Sequence, residues 1–272
     1  MKKFILLTFF LLSSIQYSHA EEPQENIRQK GQWYGYWGWN RSQYSDSDIH
    51  FTGKDHDFTL HNTSAKDRQN EVTTSSIFNR YLSPVNLTIP QYNYRAGYFV
   101  ADNWSVSLGF DHMKYVVEQG QVVGMSGTVS TPGFEKADPT RESKTITSDF
   151  MNFEHTDGLN MISIETEYFH SLWNHGKDFD FALFAGAGLG AMVPKTNVKM
   201  LSYKRNDEWH LAGYGTTLKG GFEFTFYHNW FFRGVAKFGY ANLGDVLTTS
   251  EGGTASQSFY FEEYIGAIGY RF

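Results

Sequence analysis

Between residues 91 and 272 the chain repeatedly enters segments that alternate, one residue at a time, between large apolar side chains and small or polar ones. That period of two constrains the fold more than any other feature, because it commits each segment to a strand with one apolar and one polar face. The clearest case sets Trp104, Val106, Leu108 and Phe110 against Ser105, Ser107, Gly109 and Asp111. The connections alternate too. Ala101-Asp102-Asn103, residues 174–178 and His228-Asn229 are tight turns, whereas 118–156, 195–208 and 244–257 are longer and polar. Strands are predicted at 91–101, from Trp104 onward, and at 160–173, 179–193, 213–227, 230–240 and 259–272. Upstream, residues 33–39 (WYGYWGW) form a first, aromatic-dense strand.

Composition narrows what such strands can build. Aromatic residues make up 18% of the chain, cysteine is absent and the net charge is −6. Disulfides therefore contribute nothing, and a nucleic-acid partner is excluded by charge. Met1-Lys2-Lys3, an apolar run at 4–12 and Ser18-His19-Ala20 predict a signal peptide over residues 1–20, leaving 21–272 as one exported domain. No apolar run approaches the roughly 20 residues of a membrane helix. Mean hydropathy is −0.45, which an alternating sequence produces even when half its side chains meet lipid. The predicted fold class is all-β, a transmembrane antiparallel β-barrel.

Short turns belong on the periplasmic side of such a barrel and long loops outside. With 91–101 running inward, one or three spanning strands must precede it. Residues 48–90 hold too few apolar positions for a lipid-facing span, so eight strands are expected; ten is the alternative if "HFTG" and "DFTLH" cross the bilayer. Residues 45–90 and 118–156 become long extracellular loops, the first able to fold over the barrel mouth.

The last nine residues, YIGAIGYRF, place Tyr264, Ile268, Tyr270 and Phe272 on one face of the final strand. This ending resembles the C-terminal signature of small bacterial outer-membrane β-barrels of the OmpA/OmpW-like class. The resemblance implies location in the outer membrane, partnership with its lipid and lipopolysaccharide, and recognition of those four residues by the barrel assembly machinery.

Alternation also sorts the lumen. Arg95, Lys219, Arg233 and Lys237 are predicted to point inward with Asp111, Glu165, Glu167, Glu223 and Glu263. An eight-stranded interior has room for side chains or one small ligand, so a self-paired ionic core is expected, suited to a structural or surface-binding role. Carriage of one small apolar ligand through a sideways opening is a variant. An alternative is an enzyme acting on outer-leaflet lipid, with His112 and Asp111 as catalytic candidates. His112 continues the lipid-facing register of Phe110, although position 114 is Lys114 where a deacylase pattern would want serine; His112 and Lys114 are equally suited to lipid phosphates. A third possibility is a metal site at the outer rim, built from His56, Asp57, His155, Asp157 and His210. Acid–histidine pairs recur there, Asp207-Glu208-Trp209-His210 among them, but no HExxH spacing occurs. Apart from that divalent ion, no cofactor is expected. The "GAGLG" at 186–190 lies mid-strand and is no phosphate loop.

Overall fold

The computed structural model describes residues 26–83, 86, 90–176, 178–206 and 208–272. The predicted signal peptide and Asp207 lie outside them. Among the described residues fourteen strands run in chain order: β1 (Trp33–Tyr44), β2 (Ser47–Gly53), β3 (His56–Thr63), β4 (Ala65–Lys66), β5 (Tyr92–Ala101), β6 (Trp104–Val117) and β7 (Val122–Val129), then β8 (Glu142–Thr145), β9 (Met151–His175), β10 (Phe179–Pro194), β11 (Asn197–Met200), β12 (Gly213–Phe226), β13 (Trp230–Leu247) and β14 (Thr254–Arg271).

Eight of these close a ring in the order β1-β5-β6-β9-β10-β12-β13-β14, every pair antiparallel. Closure is made by β1 on β14, in register from Tyr34 opposite Arg271 to Tyr44 opposite Phe261. A closed ring leaves no spanning strand with an unpaired edge, which lipid would not tolerate. The eight-strand expectation holds; "HFTG" and "DFTLH" do not join the ring.

The period-two pattern does what it promised. Val106, Leu108, Ile162, Ile164, Leu183, Leu218, Phe232 and Ile268 are exposed on the outer wall, and their neighbours along each strand are buried within; Leu189 is exposed there between two half-buried glycines. Trp33, Trp104, Trp173, Tyr227, Trp230 and Phe272 gird the end that carries the tight turns. Those turns use left-handed backbone at Asn103 (φ 60°) and at Tyr227 and His228 (φ 48° and 68°).

The two long loops are not loops throughout, and here the sequence expectation is corrected. Residues 45–90 contain β2, β3 and β4, and 118–156 contain β7, β8 and the start of β9. β14 continues above the belt to pair with β2, and the sheet runs on through β3, β7 and β8. One face of β2, β3 and β7 packs on a common core, while the other faces water, so their apolar residues are few; β8 lies at the edge with no buried residue. Phe51, Phe58, Leu60, Tyr115, Met125, Phe153, Met161, Met192, Leu243 and Phe259 are buried in that core.

Candidate functional site

The lumen is best followed from the short-turn end upward. Before β1 begins, Arg28 enters the mouth of the ring and is 1% exposed. It donates to Asp180 at 2.5 Å and to Glu223 at 2.9 Å. Its carbonyl accepts from the Asn103 amide at 2.9 Å, and Gly31 and Gln32 bond across to Phe99, so the entering chain is fastened at both edges. Glu223 also accepts from Arg233 at 2.6 Å and from Arg271 at 2.6 Å. One carboxylate thus gathers three guanidinium groups, an arrangement that satisfies buried ions only because each brings charge and directed N–H donors together.

A second tier lies above. Lys219 bridges Glu165 and Glu167. Arg233 reaches Glu167 at 3.2 Å, and the Tyr34 hydroxyl donates to the same carboxylate at 2.8 Å. Arg95 donates to Glu165 at 2.8 Å and to the Tyr36 hydroxyl at 3.0 Å. In the top tier Lys237 contacts Asp111 at 2.6 Å and Glu165 at 3.1 Å, with Glu263 at 3.5 Å. Asn93 donates to Asp111 at 2.6 Å and to Glu263 at 2.8 Å.

All nine charges assigned to the lumen by alternation are there. Arg28, Asp180 and Arg271 were missed. Asp180 and Arg271 fall on the same inward parity, Asp180 between Phe179 and Phe181 and Arg271 between Tyr270 and Phe272, so alternation could have found both. Arg28 belongs to no strand and carries no periodic signal. With these three, the network has six cations and six anions among the described residues. Glycines on β10 and β12 give it room. A Cβ at Gly188 would run into the Glu165 side chain, and one at Gly186 into the neighbouring strand beside Lys219.

Asp111 and His112 do not form a dyad. They are successive residues of β6 and point to opposite faces: Asp111 joins Lys237 in the lumen, while His112 lies on the outer wall. There its ring stacks on Tyr92 (4.8 Å between centroids, 14° between planes), and Nδ1 is 2.8 Å from the side-chain oxygen of Asn160. Trp37, Tyr94 and Phe110 continue the same stack.

The five metal candidates are also dispersed. His56 pairs with its neighbour Asp55, Asp57 with His50, Asp157 with Lys195 and His210 with Asp245. His155 is wholly buried and bonds Thr196. Among the described residues, no three His, Asp or Glu side chains converge as a metal set. Tyr264, Ile268, Tyr270 and Phe272 share the outer face of β14, and Tyr270 and Phe272 touch at 5.2 Å between centroids.

A closed all-strand ring, apolar outside and charge-paired inside, satisfies every backbone group where no water is at hand, as a bilayer demands. The chain is a small transmembrane β-barrel. No protein-family model matches it, and no curated protein matches its sequence. Among solved structures it is similar to the outer membrane protein OprG from Pseudomonas aeruginosa, at 10% identity over 90% of this chain and 97% of that one, with a TM-score of 0.41. It is similar also to the outer membrane protein AlkL (12%, 96% and 97%, TM-score 0.37) and to Neisserial surface protein A (10%, 89% and 100%, TM-score 0.38). At these values what the barrel does must be argued from its own residues.

Proposed function

We propose that this barrel is a non-enzymatic structural or surface-binding protein of the outer membrane, with a lumen plugged by its own charges. The observation that carries the proposal is the twelve-charge network, stoppered below by Arg28 and roofed above by the apolar core of the outer sheet. An ion entering this path would have to break buried pairs that are mutually hydrogen-bonded, at a cost of several kcal/mol each. Carriage of an apolar ligand would need space that Tyr34, Tyr36 and the paired side chains occupy. What remains available to a partner is the outer sheet, β2-β3-β7-β8, and the wall itself.

Planar-bilayer recording of the purified protein tests this. The expected trace has no stepwise current at neutral pH, whereas Glu223→Ala, which takes the shared carboxylate from three arginines and leaves Arg28 only Asp180 and Arg233 only Glu167, gives brief openings. Regular unitary steps from the unaltered protein would overturn the plug.

One observation supports a second reading, an enzyme acting on outer-leaflet lipid: Asn160 fixes the His112 ring at the upper edge of the apolar belt. Lipid A mass from cells carrying the intact protein or His112→Ala distinguishes the two. Identical spectra are expected; an acyl chain lost or gained with the intact protein alone would favour the enzyme.

A further inference from the structure

Between β4 and β5 the chain leaves the sheet and lies against the outside of the barrel. Thr73 caps a single helical turn, Thr74–Ser76, in a reciprocal bond with Ser76, and the turn continues through Ile77–Tyr81. The segment is pinned to the wall at two points. Tyr81 packs edge-on against Trp39 of β1 at 5.7 Å, and Arg41 of β1 donates to the Tyr81 hydroxyl at 3.0 Å and to the Asn70 carbonyl at 2.9 Å. Trp39 stands opposite Tyr92, so the pin sits at the upper edge of the apolar belt, beside the stack of Trp37, Tyr92, Phe110 and His112.

Among the side chains the segment exposes are four large apolar ones. Val72, Phe78 and Leu82 are 62%, 65% and 57% exposed, and Ile77 is 37% exposed. These side chains gain nothing from the barrel they lie beside. In water they would form an unburied patch continuous with the lipid-facing belt through Tyr81 and Trp39; in the boundary between acyl chains and headgroups they would be solvated correctly. Cations stand around them. Arg80 ends the helical turn, Arg68 precedes it and pairs with Glu154 at 3.4 Å, and Lys114 rises from β6.

We infer that residues 72–82 are an interfacial ledge, seating their apolar side chains in the outer leaflet while Arg68, Arg80 and Lys114 engage its lipid phosphates. The occupant is lipid because the ledge continues the belt at its edge and joins apolar to cationic chemistry in the order a leaflet presents it. The ledge would hold the barrel at a fixed depth and ring one side of it with anionic headgroups.

The chain has no cysteine, so a single spin label can be placed without altering anything else. Phe78→Cys, Leu189→Cys and Lys54→Cys are labelled and reconstituted into vesicles of phosphatidylcholine with or without lipopolysaccharide. Leu189, mid-belt, reports insertion, and Lys54, in the β2–β3 hairpin, reports water. In an inserted barrel, the label at 78 is expected to be open to oxygen and several-fold less open to a water-soluble nickel chelate than the label at 54. Equal nickel accessibility at 78 and 54 would overturn the ledge. With lipopolysaccharide present, Arg68→Gln combined with Arg80→Gln is expected to raise nickel accessibility at 78 several-fold. No change there would overturn the phosphate contact and leave a purely apolar anchor.

Discussion

Arg233 stands where carboxylates and rings meet. Its guanidinium is bonded to Glu223 and Glu167 and lies 4.7 Å from the centre of Tyr34, 4.8 Å from Phe231 and 5.0 Å from Phe169. Rings favour a cation through their electron-rich faces, and here they also keep water away from the pairs. Arg233→Met should therefore cost about 3–5 kcal/mol, because it removes the one cation shared by two buried carboxylates and leaves Glu223 to Arg28 and Arg271, and Glu167 to Lys219 and Tyr34. Urea unfolding in lipid vesicles measures it, and Arg233→Lys should recover part of the loss. His155, in the outer core, gives the opposite kind of sensitivity. Burial pushes its pKa down to about 3, so the folded protein keeps the ring neutral where the unfolded chain would protonate it. The unfolded state then binds the extra proton below about pH 6.5, and stability falls with pH from there toward 3, by up to about 1.4 kcal/mol per pH unit. His155→Phe should flatten the pH dependence of outer-sheet unfolding between pH 6 and 4, read by hydrogen exchange.

Strands in this ring recur to one device: an aromatic residue laid across a glycine directly opposite. Tyr34 faces Gly97, Phe231 faces Gly269 and Phe261 faces Gly239, and in each case a Cβ on the glycine would enter the ring. Gly97→Ala should displace Tyr34, loosen its bond to Glu167, and cost about 1–3 kcal/mol. Gly266→Ala is the control. A Cβ there meets nothing, and removing glycine's excess freedom in the unfolded chain should leave stability equal or raised by about 0.5 kcal/mol. Paired urea titrations of the two variants decide whether the device or mere glycine content matters. This scale also marks the limit of what alternation reveals. Long strands read clearly because lipid and lumen both press on them. β2 and β3 stayed hidden because only Ile49, Phe51, Phe58 and Leu60 needed to be apolar; their outward neighbours, Asp48, His50, Asp57 and His61, read as loop.

For the whole molecule, the lumen was legible in kind and incomplete in number. Parity alone placed nine charges, since one error of register would have turned every one of them into lipid. It could not place Arg28, whose position depends on the chain folding back into a mouth that exists only once the ring has closed. A buried network of this size differs from surface ion pairs in one measurable way: counterions cannot reach it. Raising salt from 0.1 to about 1 M should leave the urea midpoint of the barrel nearly unchanged, whereas a fold held by exposed pairs would weaken.

Glu223 has a consequence in time as well as in energy. Its partners Arg28, Arg233 and Arg271 are made in that order, before β1, on β13 and on β14. Until β14 arrives, the carboxylate lacks one of its three arginines and β1 lacks the strand that seals it. A chain cut short of β14 therefore leaves Glu223 with two arginines in place of three and β1 with an open edge, which lipid does not tolerate. The same few atoms that stopper the finished barrel act as a checksum on assembly, complete only when Arg28 and β14 are both in place.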